Sequence, residues 1–405
     1  MSAFPCWGKG RGRCCCYFLR INAKTLFDSF FVRQKNQLKL VTDNEPIQAA
    51  GHGGLCYGPS HWGKYGEQHR TVVKRTNCYE VYHYVTMFFT HKEEFLDLHP
   101  FLPTCISAVC ADAQSAEAQA GQFSIDFTDA SGPPPETIDV LKSAVELSWN
   151  IERLEFELET LIQHGEGPSD VEAISTTLES LRSKLGKRDI WDLVMLDLTE
   201  EHKYPSVMDV KIGTCRCTPY MLRHKVAKVF KNEAGKLTEK AGVRFCGAVH
   251  HIIDRTGVTR YETCGKDIGY SAESIQDLRQ LFLSFFGSAT MHQPSQIAHP
   301  LQSSHTLALC RAALAAVNAI ESFFIKKKDS VLKNWAMVST SLLFIYDASV
   351  FGSPELDTNA GCRVWLIDFG RSGPREFHFD EVRIGFLKGL GTLRSILSQE
   401  DGDDA

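Results

Sequence analysis

The first patterned stretch of the chain alternates glycine-rich turns with short runs of β-forming residues, between residues 46 and 110. Residues 71–74 (TVVK) predict a strand, and residues 79–89 predict a helix directly after it. A strand joined in this way to a helix is typical of a small α/β unit. We therefore predict an N-terminal lobe over residues 46–110.

Apolar residues then recur at helical spacing between residues 137 and 185. They include Leu141, Val145, Leu147, Leu154, Leu158, Leu161, Ile174, Leu178, Leu181 and Leu185. The recurrence breaks at residues 165–168 (GEGP), and residues 111–135 are rich in Ala, Ser, Gln, Gly and Pro. We interpret residues 111–188 as a loop followed by an inserted helical hairpin. Residues 137–186 are a candidate surface for a protein partner, and an insert that serves packing alone is the alternative.

From residue 189 onward the pattern predicts a hinge and a larger C-terminal lobe that ends at residue 398. Strands are predicted at 192–198, 207–212, 244–253, 259–262, 341–346 and 363–367, and helices at 219–231, 274–286, 307–324 and 380–397. An acidic tail, 399–405, follows. The mixture of strands and helices in two lobes indicates an α+β fold.

Composition and charge narrow the classes of partner. With 405 residues and 43% hydrophobic residues the chain can bury a substantial core. A net charge of −5 gives no overall attraction to nucleic acid or to an anionic membrane, so we expect no nucleic-acid partner. The most apolar long segment, 307–325, is interrupted by Arg311, Asn318 and Glu321, which favours an amphipathic helix, so we expect no membrane span.

The cysteines and the N-terminal segment indicate a cytoplasmic or nuclear protein. The 14 cysteines are scattered apart from the run Cys14 to Cys16, and the lone pair Cys215 and Cys217 lacks the partner set of a zinc site. Residues 1–45 have no apolar stretch of the secretory kind, and we predict a poorly ordered leader. Palmitoylation of the Cys14 to Cys16 run is the alternative.

Several residues have the chemistry of a nucleotide site, which needs a lysine or backbone amides on phosphates and a carboxylate on magnesium. Asp368 follows a predicted strand and precedes a glycine turn, as a metal ligand or a turn cap would. Lys74 ends the strand TVVK, with Glu80 six residues later as its carboxylate partner. The glycine-rich loop 50–54 could approach phosphate, whereas residues 58–65 (GPSHWGKY) lack the Ser or Thr of a phosphate-binding loop.

Residues 205–213 (PSVMDVKIG) resemble the PxxxDxKxG signature of the inositol polyphosphate kinase family. Other segments resemble family motifs in the expected order: 48–52 (QAAGH), 71–74, 341–347 (SLLFIYD) and 363–369 (RVWLIDF). The resemblance extends over residues 46–397, apart from the insert. It implies a two-lobed fold with an ATP site, distantly like that of protein kinases, between a small N-lobe and a larger C-lobe.

The resemblance also implies roles for individual residues, with ATP and Mg as cofactors. It assigns Lys74 to the ATP phosphates, Glu80 to the support of Lys74, and Asp368, with Ser341 nearby, to magnesium. The adenine hinge is Leu196, Asp197 and Leu198. Asp209 orients or deprotonates the attacking hydroxyl, or contacts the ribose instead, and Lys211 neutralises the transferred phosphate.

Lysines on the helix after the signature are the candidates for binding a polyphosphorylated substrate. Lys225, Lys228 and Lys231 recur every three residues and share nearly one face, and Arg216 and Lys266 are further candidates. A solvated basic face is the alternative.

Three departures from the family pattern leave the substrate open: Gly269-Tyr270, Phe369-Gly370-Arg371 and Val382-Arg383. The short interval between Gly213 and the next strand favours a multikinase-like or hexakisphosphate-kinase-like site over a trisphosphate 3-kinase, and of these two we choose the multikinase type. A decayed kinase that acts as a scaffold is the alternative from another class.

Overall fold

The computed structural model describes the chain in several segments. They are residues 55–58, 60–62, 68–111, 123–165, 167–233, 236–253, 259–287, 291, 304–329, 331–352, 361–373 and 379–398, all within the compact unit Lys39–Ala405. The predicted leader with Cys14 to Cys16, the segment QAAGH with its glycine loop, and the acidic tail lie outside the described residues. Half of the segment GPSHWGKY does as well.

A five-stranded antiparallel sheet forms the first lobe, with the strand order β1-β4-β7-β5-β6. Its strands are β1 (Leu55–Tyr57), β4 (Thr71–Asn77), β5 (Cys105–Cys110), β6 (Ser124–Asp126) and β7 (Ile190–Leu196), while β2 (His61–Trp62) and β3 (Gln68–His69) pair separately. Helix α1 (Cys78–Val85) follows β4, and a π-helical turn (Thr86–Thr90), α2 (Lys92–Phe95) and a 3-10 turn (Leu96–Phe101) lead to β5.

Strand β7 lies in the middle of this first sheet, which corrects the predicted lobe boundary. We expected the N-lobe to end at residue 110 and everything after 189 to belong to the hinge and C-lobe. The register instead pairs β7 with both β4 and β5. Alternate residues of β7, Trp191, Leu193 and Met195, are buried, as they must be in a strand whose one face is covered. By sheet membership the first lobe therefore includes residues up to Leu196.

The inserted hairpin is present as α3 (Pro135–His164) and α4 (Pro168–Leu185). Helix α3 ends at Gly165, which adopts the left-handed conformation, and α4 begins with Pro168 in its first turn. The predicted break at residues 165–168 is thus confirmed. Part of the loop before the hairpin forms β6 at the edge of the first sheet. The structure holds no partner chain, so the protein-partner surface at 137–186 stays a prediction.

The second lobe contains another five-stranded antiparallel sheet, ordered β10-β9-β8-β11-β12. Its strands are β8 (Pro205–Ile212), β9 (Val243–Ile253), β10 (Thr259–Gly265), β11 (Ser341–Asp347) and β12 (Arg363–Ile367). Its helices are α5 (Arg223–Glu233), α6 (Leu237–Ala241), α7 (Lys266–Ser271), α8 (Ile275–Phe286), α9 (Ser304–Lys326) and α10 (Phe379–Leu397), with 3-10 turns at Val331–Asn334 and Ala348–Gly352. The family-like segment PSVMDVKIG occupies the central strand β8.

One predicted helix start in this lobe was wrong. We expected a helix over 219–231, but α5 begins at Arg223, since Pro219 and Tyr220 lie in a turn that the amide of Met221 closes onto the carbonyl of Thr218.

Helix α9 is, among the residues that the structure describes, the one helix long and apolar enough to cross a membrane. Its buried residues include Leu309, Ala313, Val317 and Ile320, which belong to the main hydrophobic core. A helix of this composition with one face in a protein core is typical of a packed core helix, so the finding is weak support for a membrane span.

Helix α10 packs closely on the end of the central strand through Gly389. A Cβ atom at this position would overlap the carbonyl oxygen of Gly242 and lie 2.9 Å from the amide nitrogen of Gly213. Both contacts are with backbone, which cannot move aside as a flexible side chain can. The absence of a side chain at Gly389 therefore fixes α10 against the residue that follows β8.

We expect Gly389→Ala to lower the free energy of unfolding by about 1–3 kcal/mol, because overpacking forces the backbone apart. Gly391→Ala on the same helix is the matched control: its Cβ would meet only the flexible Glu321 carboxylate at 3.7 Å. The control should be neutral or more stable by up to about 1 kcal/mol. Urea denaturation measures both, and equal stability of the two variants would contradict the close packing.

Candidate active site

Two lysines from different lobes meet on one carboxylate. The ammonium group of Lys74, on β4 of the first sheet, donates to Asp368 Oδ1 at 2.8 Å. The ammonium group of Lys211, on β8 of the second sheet, donates to Asp368 Oδ2 at 3.3 Å. Asp368 directly follows β12, whose last residue Ile367 pairs with Ser341. The candidate site therefore lies where the central strand of one sheet and an inner strand of the other converge.

Lys74 is held from its own lobe by Glu80. The Lys74 ammonium donates to Glu80 Oε1 at 2.7 Å, and the Thr76 hydroxyl donates to the other carboxylate oxygen. Glu80 is buried and lies in the first turn of α1, where the Asn77 side chain accepts from its backbone amide. Burial alone would lower the pKa of Lys74, but the carboxylates of Glu80 and Asp368 raise it well above its usual value. The predicted ion pair is therefore present, and Lys74 is held as a cation.

Asp368 has an unusual backbone conformation that aims its carboxylate at both lysines. Its φ of 66° lies in the left-handed region, which residues other than glycine rarely adopt. The Asn77 side-chain amide donates to the carbonyl of Gly370 at 2.9 Å and ties this turn to the first lobe. Although burial opposes ionisation, the ammonium groups of Lys74 and Lys211 hold the pKa of Asp368 well below its usual range.

Asp209 has the opposite electrostatic environment. It is 5% exposed, and its Oδ1 atom has no hydrogen-bond partner among the residues described. Burial and the negative charge of Asp368 raise the pKa of Asp209 to about 6, against the opposing effects of Lys211, a hydrogen bond from Ser341 and Arg244. The site thus contains one firmly ionised carboxylate and one that can exchange a proton near neutral pH.

Lys211 is placed by the start of β11. Its ammonium group donates to the carbonyl of Ser339 at 2.9 Å and to the hydroxyl of Ser341 at 3.3 Å. Ser341 lies opposite Lys211 in the register of β11 and β8. The predicted residues Lys74, Glu80, Asp209, Lys211, Ser341 and Asp368 are therefore brought together, while their roles stay predictions.

His83, Trp335 and Phe369 form a support that the sequence analysis missed. The indole of Trp335 donates to His83 Nδ1 at 2.8 Å, and the His83 ring stacks on Phe369 with centroids 4.1 Å apart. Burial lowers the pKa of His83 to about 3, so the ring stays neutral and can accept this hydrogen bond. The stack fixes Phe369, the neighbour of Asp368. The sequence signal for His83 was its position on α1, three residues after Glu80 and on the same face of the helix.

The predicted hinge lies at the end of β7, apart from the lysine and carboxylate cluster. The amide of Leu196 donates to the carbonyl of Thr104 at 3.0 Å, and that of Asp197 donates to the carbonyl of Arg70 at 2.9 Å. The Asp197 carboxylate accepts from the amide and hydroxyl of Thr199. Asp197 therefore shapes the turn with its side chain, and Leu198 lies within that turn.

The predicted substrate cations are on the second lobe, in differing environments. Lys225, Lys228 and Lys231 are exposed on α5. Lys266 is exposed at the start of α7, after Gly265, whose partner Gly247 in turn pairs with Asp209. Arg216 is 7% exposed and donates to the carbonyl of Ile212 at 3.2 Å. It therefore braces the end of β8, a contact that the prediction of an open substrate cation did not include.

We expect Asp209→Asn to stabilise the fold at pH 7.5 by about 1–3 kcal/mol. The folded-state pKa of about 6 lies above the ordinary 3.8, so ionisation of Asp209 weakens the folded state above pH 6. The difference from the wild type should shrink as the pH falls from 6 to 4 and disappear below about pH 3, where the carboxyl is protonated in both the folded and the unfolded state.

Asp368→Asn is the matched contrast, and it should be less stable than the wild type because Asp368 is stabilised in its ionised form. Thermal unfolding at several pH values measures both variants. An Asp209→Asn variant that melts below the wild type at pH 7.5 would contradict the electrostatic assignment.

A family profile described as inositol polyphosphate kinase matches residues 192–398. Among solved structures, the inositol phosphate multikinase Ipk2 from S. cerevisiae, in complex with ADP and Mn2+, shares 16% identity over 51% of this chain and 83% of that one, with a TM-score of 0.38. Another structure, from structural studies and protein engineering of inositol phosphate multikinase, shares 18% identity over 50% and 83%, also with a TM-score of 0.38. A comparison with curated proteins found no match.

The matched region runs from within β7 to just beyond α10 and contains Asp209, Lys211, Ser341 and Asp368. Lys74, Glu80 and the helical hairpin lie outside it. The match covers just over half of the 405 residues. The chain therefore belongs to the inositol polyphosphate kinase family.

Proposed function

We propose that the protein transfers the γ-phosphoryl group of ATP to a hydroxyl of a soluble inositol polyphosphate, with a multikinase-like choice of substrate. The observation that carries the proposal is the pair of lysines, one from each lobe, on the carboxylate of Asp368, beside the buried Asp209. Phosphoryl transfer requires mainly positioning and charge neutralisation, which such a cluster can supply.

The two lysines have different roles toward the phosphates. Lys74, fixed by Glu80 and charged in the folded protein, binds the phosphates of ATP from the first lobe. Lys211, fixed by Ser339 and Ser341, neutralises the phosphoryl group during transfer from the second lobe. Since both ammonium groups already lie at Asp368, the phosphates can bind with only short movements of these two charges.

Asp368 and Ser341 fit a magnesium ion. Magnesium prefers oxygen ligands and is usually held by one or two carboxylates together with substrate phosphates and water. Asp368 stays ionised at neutral pH and has two carboxylate oxygens. The Ser341 hydroxyl accepts a hydrogen bond from Lys211, which also donates to Asp368. When bound, the ion neutralises phosphate charge and orients the triphosphate.

Asp209 accepts the proton of the attacking hydroxyl. Its pKa of about 6 leaves it mostly ionised at neutral pH while making it a better base than an ordinary carboxylate. Lys211, which neutralises the transferred group, lies two residues from Asp209 on the same strand, β8. The turn at Leu196, Asp197 and Leu198 would bind adenine through its backbone groups.

The acceptor binds between Asp209 and the exposed lysines of α5, with Lys266 at the neighbouring strand end. Flexible ammonium groups can meet ring phosphates in several orientations. Fewer than about thirty residues separate Gly213 from β9, which leaves little chain to close over the acceptor. This openness argues against the trisphosphate 3-kinase alternative, and of the two classes with an open site, multikinase and hexakisphosphate kinase, we choose the multikinase.

The function is tested by incubating purified protein and Mg-ATP with a panel from inositol trisphosphate to inositol hexakisphosphate and separating the products. We expect the wild type to phosphorylate more than one member, and Asp209→Asn and Lys211→Ala to lose at least about 10³-fold in kcat while staying folded. The exposed Lys328→Ala variant is the control. Retained activity in either site variant would falsify the assignment.

The pH dependence tests the role of Asp209. The carboxyl group with a pKa near 6 must be ionised to accept a proton, so kcat/KM should fall about tenfold per pH unit below 6 and level off above 7. A steady-state pH profile with the best inositol phosphate measures this. A profile that stays flat down to pH 5 would assign Asp209 a binding role instead.

A further inference from the structure

The helical hairpin of α3 and α4 contacts both lobes, although the reaction proposed above gives it no role. The first half of α3 faces the first lobe, where Leu141, Ala144 and Ser148 are buried. The Ser148 hydroxyl lies 3.6 Å from the thiol of Cys78, the first residue of α1. Because α1 also carries Glu80, one end of the hairpin rests on the element that holds Lys74.

The second half of α3 faces the turn that precedes α5. The ring of Tyr220 lies 4.9 Å from that of Trp149 and 6.1 Å from that of Phe156, measured between centroids. Trp149 and Phe156 are seven residues apart, so they share one face of α3. The hairpin thus contacts the second lobe through an aromatic cluster immediately before the basic helix.

Glu159, one turn further along the same face, completes the start of α5. Its Oε2 atom accepts a hydrogen bond from the backbone amide of Arg223, the first residue of α5, at 2.8 Å. The preceding residue is Leu222, whose side chain has no acceptor and cannot cap the helix. A carboxylate at this end also complements the helix dipole. The hairpin therefore supplies the cap that the local sequence of α5 lacks.

Helix α5 has little other means of fixing its direction. None of its residues whose burial the structure describes is buried, and Phe230 is 54% exposed. An isolated helix of this length is marginal in water without tertiary contacts. Its orientation, and with it the alignment of Lys225, Lys228 and Lys231, therefore depends on how its first turn is anchored.

We propose that the hairpin positions the acceptor-binding helix, with Glu159 and Tyr220 as positioning residues that set the affinity for the inositol phosphate. This inference rests on the proposed function, since it takes α5 as the acceptor helix. The same hairpin contacts α1, so it joins the element behind Lys74 to the element that carries the acceptor lysines.

The test compares KM values for the inositol phosphate that the wild type phosphorylates fastest in the panel from trisphosphate to hexakisphosphate. Glu159→Ala should raise this KM by about 2- to 30-fold, the range expected for loss of a helix cap, with kcat and the KM for ATP unchanged. Glu159→Gln keeps a carbonyl acceptor and should stay near the wild type. Glu157→Ala, an exposed glutamate on the same helix, is the matched control and should change nothing.

Substitutions of Tyr220 test the same inference independently. Tyr220→Ala should raise the KM for the inositol phosphate, while Tyr220→Phe keeps the ring and should not. Unchanged KM values in Glu159→Ala and Tyr220→Ala, with an active wild type, overturn the positioning role and leave the proposed function intact. Equal increases in the KM for ATP and for the inositol phosphate also overturn it, because they indicate a disturbance of the whole site and not of the acceptor helix alone. A wild type that phosphorylates no panel member overturns the proposed function and this inference together.

Discussion

The carboxylate of Asp368, shared by lysines of both lobes, is the interaction on which the rest of the site depends. Opposite charges this close attract strongly where protein replaces water, but only while each charge keeps its partners. Glu80 keeps Lys74 in place from one side, and the carbonyl of Ser339 keeps Lys211 in place from the other. Removing Glu80 would leave Lys74 with Asp368 alone, and removing Asp368 would take the shared carboxylate from both lysines. The site therefore fixes the relative position of the two sheets as well as the chemistry between them.

A neutral aromatic stack lies beside this charged centre and holds it in position. His83 packs on Phe369, and Trp335 donates to His83, so the residue beside Asp368 is held by groups that do not ionise at neutral pH. The left-handed backbone of Asp368 needs such support, because that conformation is strained for a residue with a side chain. The opposite charges of the two lysines and Asp368 attract each other, and the uncharged stack fixes the position of Phe369 beside Asp368.

Much of the second lobe could be predicted from the sequence, because its strands are short apolar runs with clear boundaries. The strand at residues 363–367 and the placement of Asp368 directly after it are correct to the residue. The strand at 190–196 was predicted at 192–198, but periodicity cannot reveal which sheet a strand joins. Its pairing with β4 and β5 arises from contacts between residues far apart in sequence.

The start of α5 and the His83 stack were not predictable for a related reason. The cap of α5 comes from Glu159, more than sixty residues earlier, so a local search for capping residues finds only Leu222. Apart from the spacing of His83 from Glu80, His83 and Trp335 have no sequence signal, and they matter because folding places His83 against Phe369 and Trp335 against His83. The family resemblance located Asp209 and Lys211, whereas tertiary contacts determine what supports them.

The order of strands in the first sheet has a consequence for how the protein is made. Its central strand β7 follows the whole hairpin in sequence, yet β4 and β5 have no shared partner without it. On a ribosome, the early strands must therefore wait, with apolar residues exposed, until the hairpin and β7 have emerged. Such delayed, long-range pairing slows folding and prolongs the exposure of unpaired strand edges. The hairpin lies between β6 and β7 in sequence, so the first sheet can be completed only after both of its helices have been synthesised.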